Sequence, residues 1–163
     1  MKTSIQTGSE TVTFRIVPLA TDIAEKARRA VACGAADHTV ITADSATGYP
    51  CRHCLRWAEP GERMILFPYA SIPSNHPYSE TGPIFVHVKR CERYAATDQY
   101  PNDFREGRAF RAYDKDYNMI DAEVANGNNP EAVIERLLQN PKTNFVDARS
   151  VTRGCFTFRI QRA

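Results

Sequence analysis

Two short stretches of the chain carry residue types that bind metal ions or do thiol chemistry. The first, YPCRHCLRWAEPGERM at positions 49–64, contains two cysteines and a histidine; the second, GPIFVHVKRC at positions 82–91, contains one of each. Thiolate sulfur and imidazole nitrogen are ligands that zinc prefers in proteins. The two stretches therefore predict a candidate zinc site with four ligands: Cys51, Cys54, His87 and Cys91. His53 is an alternative ligand to this set.

A shared metal ion makes demands on the local backbone of both stretches. Along an extended strand, residues four apart are separated by about 13 Å, whereas each ligand atom must come within about 2.3 Å of the metal. His87 and Cys91 can therefore share an ion only if the chain turns after Val88. Cys51 and Cys54 would face opposite sides of a strand, so the metal hypothesis also requires PCRHC to form a turn.

The same cysteines permit a thiol-dependent enzyme as an alternative. A nucleophilic cysteine needs a lowered pKa, which a neighbouring positive charge supplies, and Arg52 and His53 lie between Cys51 and Cys54 in the sequence. The Cys-x-x-Cys spacing does not indicate a thioredoxin-like site, because a Pro-Gly pair soon interrupts the long helix that such a site requires.

A third set of residues indicates a pocket for a small anionic ligand. Arginine outnumbers lysine in this chain, and the planar guanidinium matches a carboxylate or phosphate. If the loop NHPYSETGP at 75–83 folds over the sheet beside PCRHC, its side chains approach those of the strand FRAYD at 110–114. The predicted ligand-binding residues are Arg52, Tyr78, Glu80 and Arg111. A binding or sensing module without turnover is the function that the sequence favours among the three.

Two amphipathic segments predict the helices of the fold. The first has Thr21 as its N-cap and Gly34 just past its end, where glycine is common. The second has Asn129 as its N-cap and Pro130 at its first position, and an Asn-Pro pair ends it.

Alternating apolar residues predict strands around these helices. CRHCLRW at 51–57 and RMILFPY at 63–69 are interpreted as a hairpin across a Pro-Gly turn, and PIFVHV at 83–88 as the next strand. In the last strand, Cys155 and Thr157 share the face opposite the phenylalanines. The order of elements predicts an α+β fold, a single domain with a mainly antiparallel β-sheet and two helices packed on one face.

Length and composition are those of one globular domain. The chain has 163 residues, 42% hydrophobic and 25% charged, so we expect a single domain over 1–163 with its core from about residue 12. A net charge of +2 gives no reason to expect nucleic acid or a membrane surface as a partner. The first residues lack the apolar stretch of a secretory signal, and five cysteines do not suit a full disulfide framework. We therefore expect a cytoplasmic protein with reduced thiols; the sequence does not give its oligomeric state.

Four longer motifs resemble a known family. They are GYPCRHCLRWAEPGERMILFPY, PYSETGPIFVH with a cysteine shortly after it, FRAYD, and the closing Gly154-Cys155 pair. They are similar to a bacterial family of small proteins of unknown function, domain-of-unknown-function family twelve-oh-three. The likeness covers most of the chain and is densest from Gly48 to Tyr94. The resemblance implies a bacterial, cytosolic, stand-alone domain, and it carries over no catalytic residues.

Overall fold

The computed structural model describes residues 11–127 and 129–163 of the chain. Within them it contains eight strands, two α-helices and one short 3-10 helix. Their bounds, in chain order, are β1 Phe14–Val17, α1 Thr21–Ala32, β2 Thr39–Thr42, β3 Arg63–Ala70, β4 Thr81–His87, the 3-10 helix Asn102–Phe104, β5 Arg108–Tyr113, β6 Met119–Ala125, α2 Pro130–Gln139, β7 Phe145–Ser150 and β8 Phe156–Arg162.

The fold class is α+β, as predicted, and every pair of neighbouring strands is antiparallel. The strands divide between a five-stranded sheet in the order β1-β8-β7-β5-β6 and a three-stranded sheet in the order β2-β3-β4. Helix α2 packs on the larger sheet and α1 against β3 of the smaller one, so the two helices do not share one face of a single sheet as predicted. After β4 the chain leaves the three-stranded sheet. In the segment that follows, Tyr94 N donates to His53 O at 3.0 Å.

The strand predicted at 51–57 is wrong, because these residues form a turn. Cys51 N donates to Arg56 O and Leu55 N donates to Cys51 O, both at 3.0 Å. Leu55 has φ of 55°, a left-handed conformation that ends extended backbone. An isolated bridge from Pro50 to Trp57 joins the two ends of the turn, and a second bridge from Cys51 to Phe85 in β4 holds it against the three-stranded sheet. PCRHC therefore forms the turn that the metal hypothesis requires.

Helix α1 begins differently from the prediction. Its N-cap is Ala20, which makes no side-chain capping bond, and Thr21 is the first residue of the helix. The Thr21 hydroxyl instead lies 2.9 Å from His53 Nε2 in the turn at 51–57. A contact with a distant residue thus replaces the local cap. At the other end, Gly34 has φ of 73°, as the predicted C-terminal glycine requires.

Helix α2 follows the sequence prediction. Asn129 is its N-cap and accepts a hydrogen bond from Ala132 N at 3.1 Å, and Pro130 is its first residue. One face of the helix is buried against the five-stranded sheet, through Ile134, Leu137 and Leu138. A separate core lies between α1 and the three-stranded sheet. In the described part of the chain, neither helix has the length and apolar character needed to cross a membrane.

Candidate functional site

The structure brings together four side chains with metal-ligand chemistry. The sulfurs of Cys51, Cys54 and Cys91 and a ring nitrogen of His87 all lie within 4.8 Å of one another. These are the four ligands that the sequence predicted for zinc. Cys51 and His87 are buried, and Cys54 and Cys91 are partly buried. A set of donors this compact can hold a metal ion without further movement of the backbone.

Two of the separations between these atoms are close to the edges of a tetrahedral site. With zinc–sulfur bonds near 2.3 Å and zinc–nitrogen bonds near 2.0–2.1 Å, neighbouring sulfurs lie about 3.8 Å apart, and sulfur and nitrogen about 3.5 Å apart. The sulfurs of Cys51 and Cys91 are 3.9 Å apart, and Cys54 Sγ lies 3.6 Å from His87 Nδ1. The two distances differ from the ideal edges by about 0.1 Å, and they involve all four ligands.

Two changes of chain direction place the ligands. The turn at 51–57 brings Cys51 and Cys54 to the same side, which an extended strand would not do. Strand β4 ends at His87 and the chain bends at once, so that Cys91 returns towards His87 instead of continuing away from it. Arg52 N donates to the carbonyl oxygen of Phe85 in β4 at 2.9 Å, which fixes the turn beside the second pair of ligands.

A carboxylate orients the histidine of the cluster. His87 Nε2 lies 3.2 Å from Glu62 Oε2, so a neutral His87 donates from Nε2 and leaves the lone pair of Nδ1 directed at the cluster. Glu62 is itself held by two hydrogen bonds of 3.1 Å from the Arg56 guanidinium. These bonds are the largest cause that lowers the pKa of Glu62 to about 2. Arg56 belongs to the turn that carries the cysteines, so the turn supports both halves of the cluster.

Two further side chains contact the sulfur of Cys91. His53 Nδ1 lies 3.3 Å from it, and Arg28 Nη2 donates to it at 3.8 Å. His53 Nε2 faces the Thr21 hydroxyl, so Thr21 can donate to Nε2 while Nδ1–H donates to the sulfur. The structure thus places His53, predicted as an alternative ligand, beside the four-ligand cluster as a hydrogen-bonding neighbour. Arg28 and Thr21 were missed in the sequence because they come from a distant helix with no motif. Glu62 lies inside the stretch at 49–64, but nothing in the sequence indicates its contact with His87.

The clustered side chains perturb one another's protonation. Burial opposes ionisation of the Cys51 thiol, but hydrogen bonds with Cys54, Cys91 and His87 outweigh it and lower the pKa of Cys51 well below its usual value. Burial lowers the pKa of His87, yet its contacts with the sulfurs of Cys51 and Cys91 prevail and raise it to about 10. Hydrogen bonds with Cys51 and Cys91 raise the pKa of Cys54. A metal ion would displace the protons that these groups share.

The four predicted anion-binding residues do not all lie together, and only Arg111 and Glu80 are in contact. Arg111 Nη1 donates to Glu80 Oε2 at 2.8 Å, so the structure brings these two together as an ion pair. Arg149 Nη1 lies 3.0 Å from the same carboxylate oxygen. Tyr78 is exposed and stacks on the ring of His76, away from this pair. Arg52 is buried on the other side of the turn at 51–57, where it donates to two backbone carbonyls.

Arg52 lines a groove that we call the arginine groove, with a volume of about 360 Å³. It runs between the turn at 51–57, the edge of the three-stranded sheet and the loop that joins β7 to β8. The residues that line it are Gly48, Pro50, Arg52, Trp57, Leu66, Pro83, Phe85, Arg108, Ser150, Thr152, Arg153, Cys155 and Thr157. Among these residues, the sequence predicted Arg52 as ligand-binding and placed Cys155 and Thr157 on one face of a strand, and it gave no signal for Arg108.

The family model described as "Protein of unknown function (DUF1203)" matches residues 48–162, which is most of the chain. No curated protein and no solved structure matches the chain. The matched residues include all four clustered ligands and Arg56 and Glu62 beside them. Strand β1 and helix α1 precede the match, although α1 supplies Arg28 and Thr21 to the surroundings of the cluster.

Proposed function

We propose a function from the geometry of the chain itself. The chain belongs to the DUF1203 family, as its motifs predicted, but the description of that family names no activity. The chain binds one zinc ion through Cys51, Cys54, His87 and Cys91, and the ion has a structural role. One observation carries this proposal: four zinc-type ligand atoms lie within 4.8 Å of one another, and two of their separations are near the edges of a tetrahedral zinc site.

The donor set favours zinc over other metal ions. Three thiolates and one imidazole form a soft, tetrahedral environment, which suits zinc, whereas calcium and magnesium prefer six or more oxygen ligands. Glu62, the nearest carboxylate, faces the nitrogen of His87 that is turned away from the sulfurs. It therefore acts on the histidine and is not needed as a ligand.

Two features support a structural ion over a catalytic ion or a reactive thiol. Four protein ligands fill a tetrahedral site and leave no open position for water or substrate. Cys51 is 0% exposed and His87 is 2% exposed, so an incoming substrate does not reach the sulfur of Cys51. Both features make the thiol-enzyme alternative less well supported. A zinc ion at this position would join the turn at 51–57 to the end of β4 and to the segment after it.

The test is the metal content of untagged protein purified without oxygen. We expect about one zinc per chain, and we expect Cys54→Ser to lose most of it and to melt at a lower temperature, because binding energy at such a site is folding energy. Cys33→Ser is the matched control, since Cys33 is an exposed free cysteine outside the cluster. It should keep the zinc and the melting temperature of the original chain.

Reconstitution distinguishes metal lost during purification from a chain that does not bind metal. Unfolded, reduced protein should take up one equivalent of Zn²⁺ on refolding, and Co²⁺ in its place should give the visible absorption of tetrahedral thiolate coordination. A chain that refolds without taking up either ion would overturn the proposal. So would a Cys54→Ser variant that melts at the same temperature as the original chain.

A further inference from the structure

The arginine groove contains two buried positive charges that lack an acidic partner. Arg52 is 4% exposed and Arg108 is 7% exposed. Among the residues that the structure describes, neither guanidinium has a carboxylate within 4.0 Å. A buried charge without a counter-charge is unfavourable, because the low-polarity surroundings replace water that would solvate it. Both arginines line the same groove, which opens to solvent.

Other arginines of the fold do have such partners. The buried Arg149 shares the carboxylate of Glu80 with Arg111, and the partly buried Arg159 forms an ion pair of 2.8 Å with Asp147. Within the described residues, the fold therefore neutralises these guanidiniums and leaves Arg52 and Arg108 without an acid. For this reason we place anion binding at Arg52 and Arg108, and not at the pair of Arg111 and Glu80.

Both guanidiniums are fixed in position. Arg52 donates from Nε to Phe156 O and from Nη1 to Pro50 O, each at 2.6 Å. The guanidinium carbon of Arg108 lies 5.1 Å from the centre of the Phe104 ring, and its Nη1 donates to Gly107 O at 3.2 Å. Arg108 Nε is buried and has no hydrogen-bond partner in the described structure. The two arginines thus keep donors that are not used within the protein.

The protonation equilibrium of Arg108 agrees with the missing counter-charge. Burial lowers the pKa of its guanidinium. An anion beside it would act in the opposite direction.

The rest of the groove wall is largely apolar. Trp57, Leu66 and Phe85 line it, together with the hydroxyl-bearing Ser150 and Thr152. Such a wall favours an organic body, and the volume of about 360 Å³ lies in the range of small-molecule sites. Inorganic anions would leave this apolar surface uncovered.

We infer that the arginine groove binds a small amphipathic carboxylate, with the carboxylate at Arg52 and Arg108 and the apolar body against Trp57 and Phe85. Guanidinium and carboxylate match in shape, so two hydrogen bonds can form at one arginine. The exposed Arg153 lies at the rim and adds a third positive charge. Because this site uses no ligand of the metal cluster, it goes beyond the proposed zinc binding.

The chain contains its own reporter for this site. Trp57 is the only tryptophan, and it lines the groove. Fluorescence of the zinc-loaded protein is titrated with phenylacetate and hexanoate as amphipathic carboxylates. Acetate has the negative charge without the apolar group, and 2-phenylacetamide has the apolar group without the negative charge. We expect a saturable change with phenylacetate or hexanoate, and binding at least about tenfold weaker for acetate and for the amide.

Variants then locate the binding. Arg108→Gln should weaken phenylacetate binding at least about tenfold, since it removes a charged donor. Arg63→Gln, which removes an exposed arginine of β3 outside the groove, should bind like the original chain. If Arg108→Gln does not fold, Arg153→Gln tests the rim charge from an exposed loop and should weaken binding several-fold.

Three results would overturn the inference: no saturable signal with either amphipathic carboxylate, equal binding of phenylacetate and 2-phenylacetamide, or unchanged binding in a folded Arg108→Gln. These outcomes are separable from those of the metal proposal. A chain that holds one zinc but binds no carboxylate would overturn only the inference on the arginine groove. A metal-free chain that binds phenylacetate would overturn only the zinc proposal.

Discussion

At the scale of single residues, Glu62 shows how side chains outside a metal site decide which atom of a ligand faces the ion. Its carboxylate can only accept a hydrogen bond, so it selects the His87 tautomer that carries hydrogen on Nε2. Arg56 fixes the carboxylate from the turn at 51–57. The orientation of His87 therefore depends on a chain of two residues that never touch the metal.

Replacing Glu62 tests this dependence. We expect Glu62→Gln to weaken zinc affinity about 10–100-fold, as changes in residues that orient metal ligands do. The measurement is competition for Zn²⁺ with a chelating dye of known affinity. Glu59→Gln is the control, because Glu59 is an exposed acid of the same loop. Equal zinc affinity of Glu62→Gln and Glu59→Gln would show that the carboxylate does not orient the ligand.

At the scale of elements, the two helices differ in how they begin. Helix α2 has a local capping bond from Asn129, whereas α1 has no side-chain cap and directs Thr21 at the turn. Local capping stabilises a helix whatever it packs against. The start of α1 instead depends on the turn at 51–57, which connects this helix to the candidate metal centre.

The capping bond of α2 should affect stability without affecting metal. Asn129→Ala is expected to lower the free energy of unfolding by about 1 kcal/mol, because it leaves a backbone N–H of the first turn without its partner. Urea denaturation measures the loss, and zinc content should stay unchanged. Asn129→Ser keeps a capping oxygen and should recover most of the stability. A loss as large in the serine variant would show that the asparagine acts in another way.

At the scale of the whole molecule, the candidate metal centre lies where three parts of the fold meet. The turn at 51–57 carries Cys51 and Cys54, His87 is the last residue of β4, and Cys91 follows shortly after it. Helix α1 contributes Arg28 and Thr21 around these residues. An ion here would add a connection between parts that otherwise touch through hydrogen bonds and through the core between α1 and the three-stranded sheet. Its removal should therefore be visible in global unfolding.

Chelation measures that contribution. When free zinc is about 1,000 times its dissociation constant, binding adds about 4 kcal/mol to the stability of the native state. For a chain of this size, the melting temperature should then fall by roughly 8–16 °C when zinc is removed. Calorimetry with and without a chelator gives the shift. Cys54→Ser should show little further change on chelation, and an equal shift in both proteins would mean that the chelator acts elsewhere.

Much of the fold follows from local sequence patterns, and the parts that do not are set by contacts between distant residues. The start of α2 at Asn129 was predicted, and so were β3 and β4 to within about two residues, because capping and alternation act over a few residues. The four ligands were predicted as one of three alternatives, since residue type alone names them. The turn at 51–57 was missed because its left-handed Leu55 resembles a strand residue in sequence. Nothing in the sequence indicates that Arg52 and Arg108 line the same groove.

The order of the elements along the chain has a consequence for synthesis on the ribosome. Strand β1 pairs with β8, the last of the strands, so the five-stranded sheet is incomplete until residue 162 has left the exit tunnel. The three-stranded sheet and all four residues of the proposed zinc site lie within residues 39–91. The nascent chain therefore presents this whole proposed site before the later strands are translated, so zinc binding there would be able to precede the closure of the larger sheet.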